Sequence, residues 1–288
     1  MPLNKKLVRR VVREALLEDA ASRDITTLDF IQPRTMVEAK IIAKERGVVC
    51  GALVSAEVFR SFDPGTRIKI LKKDGAKARR SDCIMTIRGR GRSILSCERV
   101  ALNFLSYLSG ISTQTAEAVL AVRSAGIRIL DTRKTTPMLR AFEKHAVLVG
   151  GGKNHRLDLS DQYLAKDNHI YILKATSSMD ALALRDAKVP FEIEVDTLAD
   201  LKKVLAYGPN IVMLDNFSPS DTRRAVRLLA RIFPGKEKRP FIELSGGINL
   251  DNLRRYAIKG VDFISLGSLT HSARALDFSL EIVKVHRS

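Results

Sequence analysis

The spacing of apolar residues predicts a mixture of helices and strands over the first hundred residues. Apolar positions recur at helical intervals near the N-terminus, at Leu7, Val8, Val11, Ala15 and Leu16. A strand pattern follows, and a short helix, ALVSAEVFRSF, ends at the DPG turn of residues 63–65. A second helical pattern runs from Ser96 to Val122. Strands with helices beside them predict an α+β domain, which we place at residues 1–110.

After Gly126 the pattern changes to short β-rich runs that alternate with amphipathic helices. Six strands are predicted in IRIL, YLA, FEIEV, IVML, FIEL and FISL, and residues 146–151 form either a seventh strand or the end of a helix. Two helix starts are recognisable, at the capping-box pattern TLAD of residues 197–200 and at SPSD of residues 218–221.

Repeated strand–helix units of this length predict a parallel sheet and an α/β fold class. Six or seven such strands favour an incomplete (β/α) barrel, which we place at residues 111–270. A doubly wound open sheet is the alternative, although the sequence lacks the glycine fingerprint of dinucleotide-binding folds. We expect the last residues, about 271–288, to form a helix that packs on the first domain.

The net charge is +17, and residues 1–99 contribute +10 of it. Such an excess of positive charge is compatible with three roles: a surface that binds nucleic acid, a solvated surface that keeps the protein in solution, or an electrostatic field that steers anionic small molecules to the protein. Aromatic residues make up only 6% of the chain, and no nucleic-acid-binding module accompanies the charge. We therefore do not expect nucleic-acid binding, and RNA binding through residues 1–99 stays open as the alternative.

Three features favour a cytoplasmic protein. The sequence has no run of eighteen apolar residues, so we expect no membrane span. The N-terminal residues are charged throughout, which is typical of an amphipathic helix rather than a signal peptide. The cysteines, Cys50, Cys83 and Cys97, are odd in number, and their spacing matches no metal site. A reducing compartment is the simplest setting for such a chain.

Polar residues and glycines concentrate where the predicted barrel strands end, which is where barrel enzymes carry out their chemistry. A single charged strand end is often a solvated loop, but six in register favour a functional site. The strand-end residues, with two from the GGGKNHR loop of residues 150–156, are Thr132, Arg133, Lys134, His155, Arg156, Lys166, Glu194, Asp215, Ser245, Gly246, Gly247, Gly267, Ser268 and His271.

Each part of this set has a chemical use. Arginine and lysine bind carboxylates and phosphates, and arginine can bind either through two parallel bonds. Glu194 and Asp215 end successive strands and suit a hard cation such as Mg²⁺. Ser-Gly-Gly and Gly-Ser turns present backbone N–H groups to a phosphate. Together these residues predict a site for a phosphate-bearing polyanion and a divalent metal.

The motifs that carry these residues resemble those of the quinolinate phosphoribosyltransferase family. The most specific are DTRKTTP at 131–137, GGGKNHR at 150–156 and KDNHI at 166–170. The others are ERVALNFLSYLSGIST at 98–113, EIEVD at 192–196, MLDNF at 213–217, SGGI at 245–248 and the GSLTHS run that ends at Ser272. The resemblance covers nearly the whole chain, although ASRDIT stands near the N-terminus where the family more often has a glycine-rich motif. A related pyrophosphorylase group associated with molybdate transport lacks the DTRKTTP run.

The resemblance implies transfer of a phosphoribosyl group from phosphoribosyl pyrophosphate to quinolinate. Pyrophosphate and carbon dioxide would leave, and nicotinate mononucleotide would form for NAD biosynthesis. It also implies an N-terminal open sandwich before the barrel and a homodimer with shared active sites, with a hexamer as the alternative assembly. An aldolase that uses Lys166 to form a Schiff base is the competing enzyme class.

The resemblance also assigns roles to individual residues. It implies a catalytic set of Lys134, Lys166, Glu194 and Asp215. The implied ligands of the quinolinate carboxylates are Arg133, His155, Arg156 and Lys166. Lys134, Glu194 and Asp215 would attend phosphoribosyl pyrophosphate and its Mg²⁺, and Thr132, Ser245 and Ser268 would also bind substrate. The phosphate end would be formed by Gly246, Gly247, Gly267 and His271, and Arg99 would reach into the neighbouring subunit's site.

Overall fold

The computed structural model describes residues 3–183, 188–235 and 239–286, which form two compact units. The first unit takes its described residues from Met1–Ala116, Thr136–Gly151 and Ser272–Ser288. The second takes them from Glu117–Thr135 and Gly152–His271. The segment Thr136–Gly151 therefore belongs with the first unit, although it follows the first barrel strand in the sequence.

The first unit is built on an antiparallel sheet. Its helices are α1 (Lys5–Glu18), α2 (Ile25–Phe30), α3 (Ala52–Phe62), the start of α4 (Gly91–Val122) and α5 (Arg140–Val149). Its strands are β1 (Met36–Ala43), β2 (Gly47–Val48), β3 (Arg67–Ile70), β4 (Lys77–Ala78), β5 (Cys83–Arg90) and, after the barrel, β12 (Phe278–His286). The main sheet has the order β12-β1-β5-β3, and β2 pairs with β4. This confirms the predicted α+β unit.

The predicted C-terminal helix is wrong, because Phe278–His286 forms strand β12. It pairs antiparallel with β1, from Ala43 opposite Phe278 to Met36 opposite His286. The first half of β12 alternates Phe, Leu and Ile with Ser and Glu, a period of two that suits a strand. Pairing with β12 also satisfies backbone groups that β1 would otherwise expose along a sheet edge.

The second unit is a set of parallel strands joined by helices. The strands are β6 (Arg128–Leu130), β7 (Tyr163–Ala165), β8 (Phe191–Val195), β9 (Ile211–Asp215), β10 (Phe241–Ser245) and β11 (Phe263–Ser265). The helices are α6 (Asp167–Ala175), α7 (Leu198–Val204), α8 (Pro219–Ile232) and α9 (Ser268–His271). Predicted caps are confirmed at Thr197, which accepts from the Asp200 N–H, and at Ser218, which accepts from the Asp221 N–H.

The strand order excludes the doubly wound alternative. Strands β7 to β11 lie side by side in chain order, and the first strand, β6, pairs with the last, β11. A doubly wound sheet would reverse its order at a switch point instead. Among the described residues, β6 and β7 do not pair with each other, and Lys153 forms an isolated bridge to Leu130 on β6. The barrel is therefore incomplete, as predicted, and residues 146–149 end helix α5.

Parallel pairing brings the carboxyl ends of the strands to one rim. Asp215 at the end of β9 lies opposite Ser245 at the end of β10, and Glu194 on β8 lies opposite Met213 on β9. Alternate residues such as Ile193, Val212 and Leu244 are buried in an apolar core. No helix among the described residues is long and apolar enough to span a bilayer.

Candidate active site

A cavity of about 650 Å³ lies at the carboxyl ends of the barrel strands. It collects the predicted strand-end residues, namely Thr132, Arg133, Lys134, His155, Arg156, Lys166, Glu194, Asp215, Ser245, Gly246, Gly247, Gly267, Ser268 and His271. Arg99 does not line this cavity; it lies exposed on α4, within the first unit. The role predicted for Arg99 in a neighbouring subunit stays a prediction.

Lys166 and Glu194 form the closest ion pair at the rim. The Lys166 Nζ lies 2.5 Å from the Glu194 Oε2. Lys166 immediately precedes α6, whereas Glu194 projects from β8 and is 9% exposed. Lysines that form Schiff bases are activated in apolar surroundings or beside other cations. A carboxylate partner does not favour that chemistry, and the pair fits an anion-binding ammonium group better.

His155 is held in one orientation by contacts on three sides. Its backbone N–H donates to the Oδ1 of the buried Asp131 over 2.9 Å. Its Nδ1 accepts from the Arg156 backbone N–H at 2.7 Å, so in the neutral imidazole the proton lies on Nε2. That Nε2 lies 3.0 Å from the Glu192 Oε2 and 3.6 Å from the Glu243 Oε1.

Two carboxyl groups that were not among the predicted site residues lie beneath this rim, although the period of two in FEIEVD places Glu192 on the same strand face as Glu194. Glu192 and Glu243 are both fully buried, and the Gln162 Nε2 donates to the Glu192 Oε2 over 2.8 Å. Burial raises the pKa of Glu243 well above its ordinary value, and the neighbouring Glu192 carboxylate acts in the same direction. For Glu243 the sequence signal was a single acidic residue inside the otherwise apolar run FIEL, a composition typical of a strand that is buried on both faces.

Arg133 and Arg156 provide concentrated positive charge. Arg156 is buried and its Nη1 donates to the Gln162 carbonyl oxygen over 3.1 Å. Burial lowers the pKa of the Arg156 guanidinium, and the nearby charge of Arg133 lowers it further. The Nε of Arg133 is buried without a hydrogen-bond partner among the described residues. A bound carboxylate would satisfy that donor and relieve the repulsion between the two cations.

Two glycines in the cavity wall allow neighbouring segments of the chain to approach each other closely. Gly246 has a φ of +85°, and a Cβ there would lie 2.3 Å from the Asn216 Oδ1 and 2.6 Å from the Asn216 backbone nitrogen. A Cβ on Gly267 would lie 3.1 Å from the Lys134 Cδ and 3.2 Å from the His271 ring. The Lys134 carbonyl accepts from the Thr270 hydroxyl at 2.6 Å, which fixes this strand end. A side chain at Gly246 would collide with Asn216, and one at Gly267 would press against Lys134 and His271, which line the cavity.

The donor chemistry of the rim fits a hard divalent cation. Glu194 and Asp215 line the same cavity from adjacent strands. One oxygen of Asp215 accepts from the Asn216 side-chain amide over 2.7 Å, and one oxygen of Glu194 is paired with Lys166. Mg²⁺ commonly takes one or two protein carboxylates and completes its shell with water and substrate phosphates. Glu194 and Asp215 would be enough protein ligands for an ion bound in this way.

The fold and the cavity define a (β/α)-barrel enzyme that acts on a polyanionic substrate. Models of the quinolinate phosphoribosyl transferase N-terminal and C-terminal domains match residues 24–109 and 111–281. The chain belongs to the quinolinate phosphoribosyltransferase family.

Individual relatives resemble the chain over nearly its full length. The nicotinate-nucleotide pyrophosphorylase (carboxylating) of Mycobacterium leprae is 41% identical, with 95% of this chain and 96% of that protein covered. The probable enzyme of the same name from Bacillus subtilis is 38% identical, with 99% and 97% covered. The crystal structure of NadC from Streptococcus pyogenes superposes with a TM-score of 0.88 at 40% identity, and covers 99% of this chain and 100% of that one.

Proposed function

We propose that the chain transfers the phosphoribosyl group of phosphoribosyl pyrophosphate to quinolinate. Pyrophosphate and carbon dioxide are released, and the product is nicotinate mononucleotide, a precursor of NAD. The observation that carries this function is one cavity that holds Arg133 and Arg156 beside Lys134, Glu194 and Asp215. Cations for a dicarboxylate and groups for a pyrophosphate with its metal thus line the same cavity, and the chain belongs to a family defined by this chemistry.

Quinolinate binds through its carboxylates in this proposal. The unpartnered Nε of Arg133 and the buried guanidinium of Arg156 supply charge-assisted hydrogen bonds. Holding both carboxylates fixes the plane of the pyridine ring and aims its nitrogen at ribose C1. Such positioning supplies a large part of the rate enhancement when a bimolecular reaction becomes effectively unimolecular.

The transfer step needs charge stabilisation more than covalent help. As the bond between C1 and pyrophosphate breaks, positive charge grows on the ribose and negative charge on the leaving group. Lys134 stabilises the leaving group, while the carboxylates of Glu194 and Asp215 tolerate the ribose cation. Mg²⁺, held by Glu194 and Asp215 together with the substrate phosphates, would neutralise further charge on pyrophosphate.

Decarboxylation follows from the charge on the ring. Once its nitrogen is bonded to ribose, the pyridinium accepts the electron pair left when the adjacent carboxylate departs as carbon dioxide. The ring carbon then takes up one proton, which gives nicotinate mononucleotide. The nicotinate carboxylate that remains keeps a cationic partner in the site.

The family resemblance also supports proposals about assembly and location. We infer a homodimer in which Arg99 of each subunit completes the other subunit's site. Arg99 is exposed on α4 and does not line the cavity of its own second unit. The three cysteines are free thiols, which suits the reducing cytoplasm that we propose as the location.

The test is an assay of the purified protein with quinolinate, phosphoribosyl pyrophosphate and Mg²⁺. We expect nicotinate mononucleotide, pyrophosphate and carbon dioxide in equal amounts, identified by mass spectrometry and ¹³C-labelled quinolinate. Lys134→Ala is the inactive comparison. Absence of nicotinate mononucleotide from a folded protein would overturn the proposal. Borohydride trapping of a carbonyl substrate on Lys166 would instead support the hypothesis that the protein is an aldolase.

A further inference from the structure

Three side chains of the types that bind metal ions meet in the first unit, among residues that the barrel site does not use. The Sγ of Cys50, the Oδ2 of Asp74 and the Nε2 of His145 can all lie within 4.8 Å of one another. Cys50 lies between β2 and α3, Asp74 lies between β3 and β4, and His145 is on α5. All three belong to the first unit.

The two contacts that Asp74 makes in this cluster are at the long end of the hydrogen-bond range. The His145 Nε2 lies 3.4 Å from the Asp74 Oδ2, whereas an N–H···O bond is ordinarily about 2.9 Å long. The Cys50 Sγ lies 3.9 Å from the same oxygen. Zinc–ligand bonds of about 2.0–2.3 Å in a tetrahedron place the donor atoms roughly 3.3–3.6 Å apart. The distance between His145 and Asp74 falls in this range, the distance between Cys50 and Asp74 exceeds it by about 0.3 Å, and all three donor atoms lie within 4.8 Å of one another.

Backbone contacts hold the donors in place without a metal. The other oxygen of Asp74, Oδ1, accepts from the Ala52 N–H over 3.0 Å, which directs Oδ2 toward the thiol and the imidazole. The Cys50 N–H donates to the Ser109 hydroxyl over 2.9 Å, and that hydroxyl donates back to the Cys50 carbonyl oxygen over 3.1 Å. The Asp74 carboxylate and the main chain of Cys50 are therefore fixed independently of any bound ion.

Burial and ligand type favour one class of metal. Cys50 is fully buried, while the side chains of Asp74 and His145 are 17% and 19% exposed, so an ion can enter from their side. Burial raises the pKa of the Cys50 thiol, and the Asp74 carboxylate adds to that rise. Metal binding must therefore displace the thiol proton to solvent as the metal–sulfur bond forms. Thiolate and imidazole ligands select zinc over magnesium.

We propose that Cys50, Asp74 and His145 bind one zinc-class divalent ion, with a water molecule in the fourth position. The site is separate from the proposed catalytic function. Asp74 is 24 residues from Cys50 and 71 residues from His145 in the sequence, so the ion would cross-link distant segments of the first unit. It would stabilise that unit rather than take part in phosphoribosyl transfer.

The test uses tag-free protein that has been stripped with a chelator and then titrated with CoCl₂ or ZnCl₂ alone. We expect about one equivalent of Co²⁺ to produce a thiolate-to-cobalt charge-transfer band in the near ultraviolet, and Zn²⁺ to displace it. Zinc addition should release a proton in weakly buffered solution and raise the melting temperature. A cobalt spectrum without a thiolate band in the wild-type protein would overturn the proposal.

Variants separate this site from metal bound elsewhere. Cys50→Ser should abolish the band, and His145→Ala should weaken zinc binding at least ~10-fold in competition with a chromophoric chelator, equivalent to ~1.4 kcal/mol. Cys83→Ser is the matched thiol control and should retain the band. If Cys50→Ser does not fold, the zinc affinity of the variant at the partly exposed His145, His145→Ala, tests the site by itself. A wild-type zinc affinity in His145→Ala, or a band lost only in Cys83→Ser, would contradict the assignment.

Discussion

Lys166 Nζ and Glu194 Oε2 lie 2.5 Å apart, at the carboxyl ends of two neighbouring strands. In the proposed reaction Lys166 binds a quinolinate carboxylate while Glu194 attends the ribose and its metal. The pair therefore links the two substrate subsites, and each member limits where the other can move. The Glu194 carboxylate also offsets the charge of the Lys166 ammonium group when no substrate is bound.

Lys166→Ala should lower kcat/KM for quinolinate by roughly 10- to 100-fold, because a hydrogen bond to a charged group contributes about 1.5–3 kcal/mol. The matched control is Lys203→Ala, whose ammonium lies 3.6 Å from Asp200 and is 74% exposed. Exposed pairs of this kind contribute little. Steady-state kinetics with quinolinate varied measures both variants. Equal losses in the two would show that Lys166 has no special role.

Activity should require Mg²⁺ or Mn²⁺, and Asp215→Asn should raise the concentration of free Mg²⁺ needed for half-maximal rate. The amide lacks the charge that attracts a hard cation. Asp196→Asn is the control, since Asp196 follows the same strand as Glu194 but does not line the cavity. Initial rates across a magnesium titration measure the effect. Full activity in excess chelator would show that the reaction does not need a divalent metal ion.

Quinolinate should be used and nicotinate should not. Nicotinate has one carboxylate, so its binding would leave a cation such as Arg133 or Arg156 unpaired in a buried site. That loss costs roughly 2–5 kcal/mol, by analogy with truncated buried charge pairs. Competition between the two acids for limiting phosphoribosyl pyrophosphate, with product analysis, measures the discrimination. Comparable turnover of both would contradict the proposed carboxylate subsites.

The stability of the first unit should depend on Asp63 between about pH 4 and pH 2. The Arg90 guanidinium, the Ser93 hydroxyl and the Gly65 N–H lower the pKa of Asp63 to about 2. Because the pKa of Asp63 is lower in the folded than in the unfolded protein, its ionised form stabilises the fold at pH values above the unfolded-state pKa. That stabilisation is lost as the pH falls through the folded-state pKa. Asp63→Asn should therefore reduce the free energy of unfolding by about 2 kcal/mol at pH 7.

Denaturant unfolding followed by circular dichroism at several pH values measures this difference. It should shrink below pH ~4 and nearly disappear close to pH ~2. Asp29→Asn, at an exposed position on α2, is the control and should stay within ~0.5 kcal/mol of wild type. A constant difference across the whole pH range would show that the asparagine acts through packing instead of charge.

Mixing two inactive variants should restore activity if sites are shared between subunits. Arg99→Ala and Lys134→Ala subunits that exchange at random form mixed dimers about half of the time, and each mixed dimer regains one of two sites. We expect about a quarter of the wild-type activity, measured after exchange has been verified by mass spectrometry. Verified exchange without activity would show that Arg99 acts within its own chain.

Local patterns in the sequence determined most of the barrel. The six strands and the caps at Thr197 and Ser218 were predicted, because periodicity and capping chemistry depend on neighbouring residues. The strand-end residues were also predicted to converge, since parallel strands in a barrel bring their carboxyl ends to one rim. The same residues carry the motifs by which the family can be recognised.

Only the tertiary structure decided which distant segments meet. Strand β12 forms because it pairs with β1, some 240 residues earlier in the chain. A local sequence pattern contains no information about a pairing partner so far away. The approach of Glu192 and Glu243 to His155 depends on strand register and on burial, which together set the raised pKa of Glu243. The meeting of Cys50 with His145 was likewise invisible, because their spacing along the chain matches no metal motif and only folding brings their side chains together.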